Sequence, residues 1–415
     1  MSIGKTIVSL LILLIAGVCQ AQVMSVDSLM VVSGVVKEGV HKKKLAGATL
    51  SVTGSNIATV TNDDGFFSLK LPKKMAGAFI RIQHLGYVSG KVRIPAADTR
   101  PAMLEIRLEP SPKMLDGITV YGAEPRSLIE NAIRKIPSNY SASRNYFSSF
   151  YREIIRKGRR YIGVSEAIVD VSKNSYATRR ISGDRVRLVK GRRLVSQRPS
   201  DTLAVKIAGG PMMPVVLDVV KNEDLLFSLP ELDFYEFTME APATIDGRSQ
   251  FVVSFRPKVK VDYALHKGKV FIDRETLSFS RAEFSLDVSD KAKATRAILY
   301  SKPRGLRFNL QEVEFLVSYK YQDGVSYLNY IRTKTRFKCD WKRRLFSSGY
   351  TACAEMVMVD RDDDPSRTIS RDEAFRRKDI FYDMIGDFSD SDFWRDYNII
   401  EPAESLEKAL LKLHE

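Results

Sequence analysis

The sequence predicts a mainly β protein: a small N-terminal sandwich of seven strands, then a larger, curved antiparallel sheet carrying a few short helices. Three observations lead there. Apolar and polar residues alternate with period two in run after run, as in "FFSLKLP" and "FVVSFRP", the pattern of a half-buried strand. Aromatic residues are frequent, with 21 Phe and 17 Tyr, and stand beside Val, Ile and Thr between turn-forming residues. Long apolar runs at helical spacing are scarce.

The first 21 residues read as a signal peptide. Lys5 supplies a short positive region, "TIVSLLILLIAGVC" an apolar stretch, and "CQA" the small residues at a cleavage site after Ala21. Cys19 closes the apolar run as a lipoprotein signal would, but Val18 stands where that processing wants a small residue. The expected mature chain begins at Gln22 and is exported, to the periplasm, to the outer membrane or to the cell surface. No later segment is apolar enough to cross a bilayer as a helix, which takes about 20 residues.

Strands fit at 29–37, 48–53, 57–61, 66–71, 78–84, 88–94 and 102–108, within a sandwich spanning 22–109. Phe67, Leu69 and Leu71 share one face, as do Ala78, Ile80 and Ile82, and Leu104, Ile106 and Leu108. Asn62-Asp63-Asp64-Gly65 is a choice between a metal loop and a turn. A calcium loop needs oxygen ligands at spaced positions and a later bidentate carboxylate. Phe66, Phe67, Leu69 and Leu71 supply none, so the segment reads as a turn, with Asx side chains bonding the local backbone and Gly65 taking a positive φ.

The blocks "SGVV", "LAGATLSVTGS", "TNDDGFFSL" and "HLGY" together resemble the carboxypeptidase-like regulatory domain, a transthyretin-like β-sandwich found in exported bacterial proteins and at the N-terminus of TonB-dependent receptors. The resemblance implies an accessory or assembly role and no peptidase activity. A receptor barrel of about 22 strands cannot be built from the residues that follow. The whole chain is similar to exported bacterial carboxypeptidase-like regulatory domain-containing proteins.

Pro110, Pro112 and Pro125 bracket a linker at 110–126, with room for one edge strand at "GITVY". Leu128, Ile129, Ala132, Ile133 and Ile136 then fall at helical spacing between Pro125 and Pro137. The second domain, 127–375, opens with a long hairpin tipped by Gly158. The interval 173–225 is ambiguous, with a short helix near 214–227. A hairpin on Asp246-Gly247 follows, and eight to ten long antiparallel strands are expected in succession. Over roughly 230–325 the pattern resembles, more loosely, the outer-membrane lipoprotein carriers, whose curved sheet can enclose an acyl chain. The tail, 376–415, ends in an amphipathic helix at 403–413.

The formal net charge is +15. From Tyr151 to Gly210 there are 15 Lys and Arg against five Asp and Glu. In an exported protein the anions to expect are lipid headgroups, lipopolysaccharide and acidic glycans, so nucleic acid is set aside. Arg156, Lys157, Arg159 and Arg160, at the hairpin tip, are candidate contacts to an anionic surface, with solvated strand faces as the plainer reading. Cys339 and Cys353 flank a hairpin centred near Phe346, and are either a disulfide or two buried thiols.

No catalytic, metal or cofactor site is expected. His41, His84, His266 and His414 lie apart and make no zinc motif; there is no nucleophile elbow and no phosphate-binding glycine loop. The acidic run 360–367 reads as a solvated loop, and the tail aspartates Asp387, Asp390, Asp392 and Asp396 surround Phe388, Phe393 and Trp394, aromatics that dock a tail more often than they bind sugar. Phe393 and Trp394 are candidates to dock the tail, as a plug on the concave side of the sheet. The reading is a non-enzymatic envelope accessory protein that binds an apolar or amphiphilic, lipid-like ligand or an envelope protein partner, with peripheral outer-membrane association. Two alternatives stay open: a glycan- or anionic-surface-binding module, and a hydrolase whose site forms only in three dimensions.

Overall fold

A computed structural model describes residues 29–96, 103–111, 124–201, 203–341, 347–376, 379, 381–387, 393–394 and 397–414. The expected signal peptide, the "GITVY" strand, most of the linker, and Phe388, Asp390, Asp392 and Asp396 lie outside the described residues.

The sandwich has the seven expected strands: β1 (Leu29–Glu38), β2 (Thr49–Val52), β3 (Ala58–Val60), β4 (Phe66–Pro72), β5 (Phe79–Gln83), β6 (Gly90–Arg93) and β7 (Leu104–Leu108). They form a three-stranded sheet, β4-β1-β7, and a four-stranded sheet, β3-β2-β5-β6. The alternating residues meet between the sheets, where Val36, Leu50, Leu69, Leu71, Ile80 and Ile82 are wholly buried. The Asn62–Gly65 segment is a turn. The Asn62 side chain accepts from the amides of Asp64 (2.9 Å) and Phe66 (3.0 Å), and Gly65 has φ +68°.

The helix α1 (Pro125–Arg134) is capped by Glu124, whose carboxylate accepts from the amides of Arg126 and Ser127 at 3.1 and 2.7 Å. A one-turn helix, α2 (Ile136–Asn139), carries Pro137 inside it, where the sequence placed the helix end. The hairpin β8 (Asn145–Lys157) and β9 (Arg160–Lys173) turns at Gly158, φ +60°. The ambiguous interval contains β10 (Arg185–Val195), the two-residue β11 (Lys206–Ile207) and the five-residue helix α3 (Met212–Val216). This helix is shorter than the expected 214–227, because the chain beyond it spends its backbone on turns around Asp218.

Four strands follow: β12 (Tyr235–Ile245), β13 (Arg248–Pro257), β14 (His266–Asp273) and β15 (Phe279–Leu286). Asp246 and Gly247 have φ of 56° and 70°, the two positive values of a two-residue hairpin turn. A helix the sequence reading omitted, α4 (Lys291–Ile298), is capped by Asp290. Then come β16 (Leu299–Ser301), β17 (Leu306–Gln322), β18 (Val325–Trp341), β19 (Ser348–Asp362), β20 (Gly386–Asp387) and the C-terminal helix α5 (Glu404–His414).

The large sheet has eleven strands in the order β12-β13-β14-β15-β17-β18-β19-β8-β9-β10-β20. It is a meander whose first hairpin has joined its far end, through antiparallel pairing of β19 with β8. Its two faces differ. On one face Tyr151, Val169, Val253, Ile272, Val317 and Phe337 belong to the main core, which α1, α2, α3 and α4 help to cover. On the other face Phe150, Ile168, Tyr330 and Val357 pack with Val60 of the sandwich and with Trp394, Ile399 and Ile400 of the tail.

Candidate functional site

The candidate disulfide is not formed: Cys339 and Cys353 are free. In the pairing of β18 with β19, Cys339 stands opposite Ser348 and Cys353 opposite Lys334. The two are five residues out of register, about 16 Å at roughly 3.3 Å per residue, against the 4.4–6.8 Å a bridge spans. Phe337 faces Tyr350 across the strands with ring centroids 5.5 Å apart, and that pair centres the hairpin before Phe346. Burial pushes the Cys339 thiol up to about 11.

Trp394 is buried, but Phe393 and Trp394 do not plug the helix-covered face. They lie on the opposite one, for a physical reason visible at Glu166. This buried carboxylate accepts from Arg152 (2.8 Å), Arg192 (2.9 Å) and the indole nitrogen of Trp394 (3.2 Å). The indole N–H is satisfied there by a buried carboxylate. Lys190 and Arg192 also stand over the Phe393 ring, at 4.2 and 5.6 Å.

The tail then runs as a strap between sandwich and sheet. Asn398 accepts from the Lys70 amide (2.7 Å) and donates to the Lys70 carbonyl (3.1 Å), covering the edge strand β4. Thr59 donates to the Ile399 carbonyl (3.4 Å), Asn62 to the Pro402 carbonyl (3.1 Å), and the Glu404 amide to Asp64 (2.8 Å). The acidic turn is therefore a turn, as its sequence says, and also a socket for the tail. Elsewhere Arg81 pairs with Asp246 at 2.5 Å, and Asn56 donates to the Arg361 carbonyl at 2.8 Å. Both turns thus carry bonds between the two domains.

The basic hairpin tip is partly neutralised. Arg160 pairs with buried Asp201 at 2.6 Å, Lys157 lies 3.9 Å from the same carboxylate, and Arg156 stands 5.7 Å from the Tyr161 ring. Arg159 and Arg160 nonetheless line an open groove of about 610 Å³ with Arg198 and Lys408, where Asp201 is the one carboxylate among the described lining residues, and Lys408 also pairs with Glu404. Arg198 and Lys408 come from distant parts of the chain, so sequence proximity could not add them to the cluster.

An ionic grouping inside the second domain escaped the sequence reading. Lys173, wholly buried, lies 3.0 Å from both Asp184 and Asp218. Asp218 also accepts from Tyr176 and Tyr319, each at 2.7 Å. Burial would raise the Asp218 carboxyl, but Lys173 and the two hydroxyls outweigh it and hold the group below its ordinary value. The two carboxylates share that one cation and are sealed from water, an arrangement that holds three segments together. The acidic run is likewise internally paired, Arg361 to Asp363 at 2.6 Å and Arg367 to Asp362 at 2.7 Å. Among the described residues no group of three or more His, Cys, Asp or Glu could hold a metal ion.

A third feature is a cavity of about 210 Å³ between sandwich and sheet. Gly47, Thr49, Gln83 and His84 line it from the sandwich, and Arg281, Ser318, Lys320, Asn329 and Arg332 from the outer face of β15, β17 and β18. Burial pushes the Lys320 ammonium down to about 8, with Arg361 adding to the effect.

Comparison with solved structures gives loose superpositions. A DUF1329 family protein from Desulfovibrio piger ATCC 29098 is 13% identical, covering 59% of this chain and 96% of its own, with TM-score 0.26. MucB in complex with MucA(peri) is 12% identical, with coverages of 58% and 98% and TM-score 0.16. A putative membrane-associated protein from Bacteroides fragilis NCTC 9343 is 6% identical, with coverages of 80% and 97% and TM-score 0.16. No curated protein matches the chain. The sandwich is recognised: residues 32–120 match the sequence model of the CarboxypepD_reg-like domain, so this chain carries a CarboxypepD_reg-like domain strapped to an open, eleven-stranded antiparallel sheet.

Proposed function

We propose that the protein is an exported accessory component of a bacterial envelope that works by binding, not catalysis, and that its basic groove docks on an anionic envelope surface. The observation that carries this reading is the convergence of Arg159, Arg160, Arg198 and Lys408 on one groove with a single lining carboxylate. Basic side chains near an anionic membrane each add to binding, and their sum falls off within a Debye length. The carboxylates of Glu166, Asp184 and Asp218 support binding over hydrolysis, since Arg152, Arg192 and Lys173 neutralise them. The helix-bearing face is filled by the main core, which favours a surface site over an enclosed acyl chain.

Vesicle sedimentation tests this. The protein should bind vesicles containing phosphatidylglycerol and not pure phosphatidylcholine, and lose binding at about 1 M salt, where the screening length is roughly 3 Å. Arg159→Gln with Arg198→Gln should weaken binding about thirtyfold, at about 1 kcal/mol for each cation removed. Equal binding to neutral vesicles would defeat the reading, and retention on acidic glycan without vesicle binding would transfer the groove to a glycan partner.

A further inference from the structure

The cavity between sandwich and sheet has cationic walls and, among its lining residues, no carboxylate. Arg281, Lys320 and Arg332 line it from β15, β17 and β18, in successive rows of the sheet on either side of Ser318, and His84 closes the sandwich side. Each also interacts with carboxylates that do not line the cavity. Arg281 bonds Glu283 at 2.6 Å, Arg332 feels Glu355 and Asp63, and Lys320 feels Asp323 and Asp246 against Arg361 and Arg81. The volume is well above the roughly 10–15 Å³ one water needs. The remaining lining groups, among them Thr49, Gln83, Ser318 and Asn329, include hydroxyl and amide donors for further oxygens.

We propose that this cavity binds a phosphoryl group, a compact tetrahedral anion held by Arg281, Lys320 and Arg332 and roofed by the sandwich. Three cations best match a doubly charged group, and charge-assisted bonds from Arg and Lys are the strong ones. Because one wall belongs to each domain, the anion bridges them and tightens their docking by mass action. The phosphoryl group could belong to a soluble phosphate or to a lipid headgroup, and the site's chemistry is the same for both. The proposal stands apart from the hairpin-tip groove, which shares none of these residues.

The test is titration of the full chain with inorganic phosphate, followed by calorimetry, and by NMR of the ¹³C-methylated lysines. One phosphate should bind, and the Lys320 resonance should titrate at higher pH when phosphate is present. Lys320→Met and Arg332→Gln should each weaken phosphate about tenfold, as loss of a charge-assisted bond implies, while Arg159→Gln leaves it unchanged. Should either variant misfold, the shift of Lys320 in the unmodified sequence still decides. Vesicles of phosphatidylcholine with 20% phosphatidic acid form the second arm, that fraction chosen as roughly that of an anionic leaflet. If the seam variants weaken them too, the group comes from a headgroup; if only phosphate is affected, it is soluble. No binding up to about 10 mM, a range far weaker than the micromolar affinity of ordinary ligands, or binding indifferent to both variants, overturns the proposal.

Discussion

The two faces of the large sheet are closed in different ways. One is sealed by a continuous apolar core, with its few charges knotted around Lys173, Asp184 and Asp218. The other is covered by a separate domain and a strap, through side-chain-to-backbone hydrogen bonds, buried arginines and a cavity of about 210 Å³. Apolar closure specifies one packing and leaves little room. Polar closure is more easily opened and leaves cationic side chains facing cavities. The first face accounts for stability, and the second carries the features that could bind something.

The comparison predicts the largest effect at the knot. Lys173→Met leaves Asp184 and Asp218 buried with their common cation gone. Removing one partner of a buried ion pair costs about 3–5 kcal/mol, so the second domain should lose most of its margin in a chemical denaturation experiment. The double variant with Asp218→Asn should recover part of it, since fewer uncompensated charges remain. A loss below about 1 kcal/mol, the range of exposed pairs, would mean that water reaches the knot and that this face is not sealed.

A smaller effect on the same face comes from His266. Its ring stands edge-on to the stacked pair Phe284 and Phe315, at 5.4 and 5.9 Å, and burial pushes its pKa down to about 4. The folded state therefore resists protonation while the unfolded state, near 6.5, accepts it. Stability should fall as pH drops from about 6.5 to 4, by at most about 3 kcal/mol, and by less because the ring keeps partial access to solvent. His266→Leu should flatten that part of the stability profile. A profile identical in the variant would remove His266 from the sealed face.

Much of the fold was legible because it is local. Period-two alternation marks β4, β5 and β7, and Asp246-Gly247 and Asn62–Gly65 form the turns their residues favour. What those turns hold was not legible. Asp64 meets the Glu404 amide across 340 positions of sequence, and no periodicity in either segment encodes the other. The cysteines show the same limit within one hairpin. Pairing of Phe337 with Tyr350 sets the register, and a centre misplaced by a few residues turns facing cysteines into distant ones. The cationic seam was invisible for a further reason: Arg281, Lys320 and Arg332 are ordinary outward-facing strand residues until the sandwich is laid over them.

The smallest expected effect sharpens the comparison most. Asn398 imitates a neighbouring strand at Lys70, accepting from its amide and donating to its carbonyl. The position matters because β4 is an edge of its sheet, and edges left open invite pairing with other chains. Asn398→Ala removes two hydrogen bonds worth about 1 kcal/mol each, less whatever water restores at this half-buried site. The global unfolding midpoint should move little, since neither core is touched. Hydrogen exchange at the Lys70 amide and along 397–402 should quicken about tenfold, as a change near 1.4 kcal/mol implies, while Val169 and Val317, deep in the sealed face, keep their protection. If those core amides quicken equally, the two faces open as one cooperative unit, and the division between a stabilising face and a binding face fails.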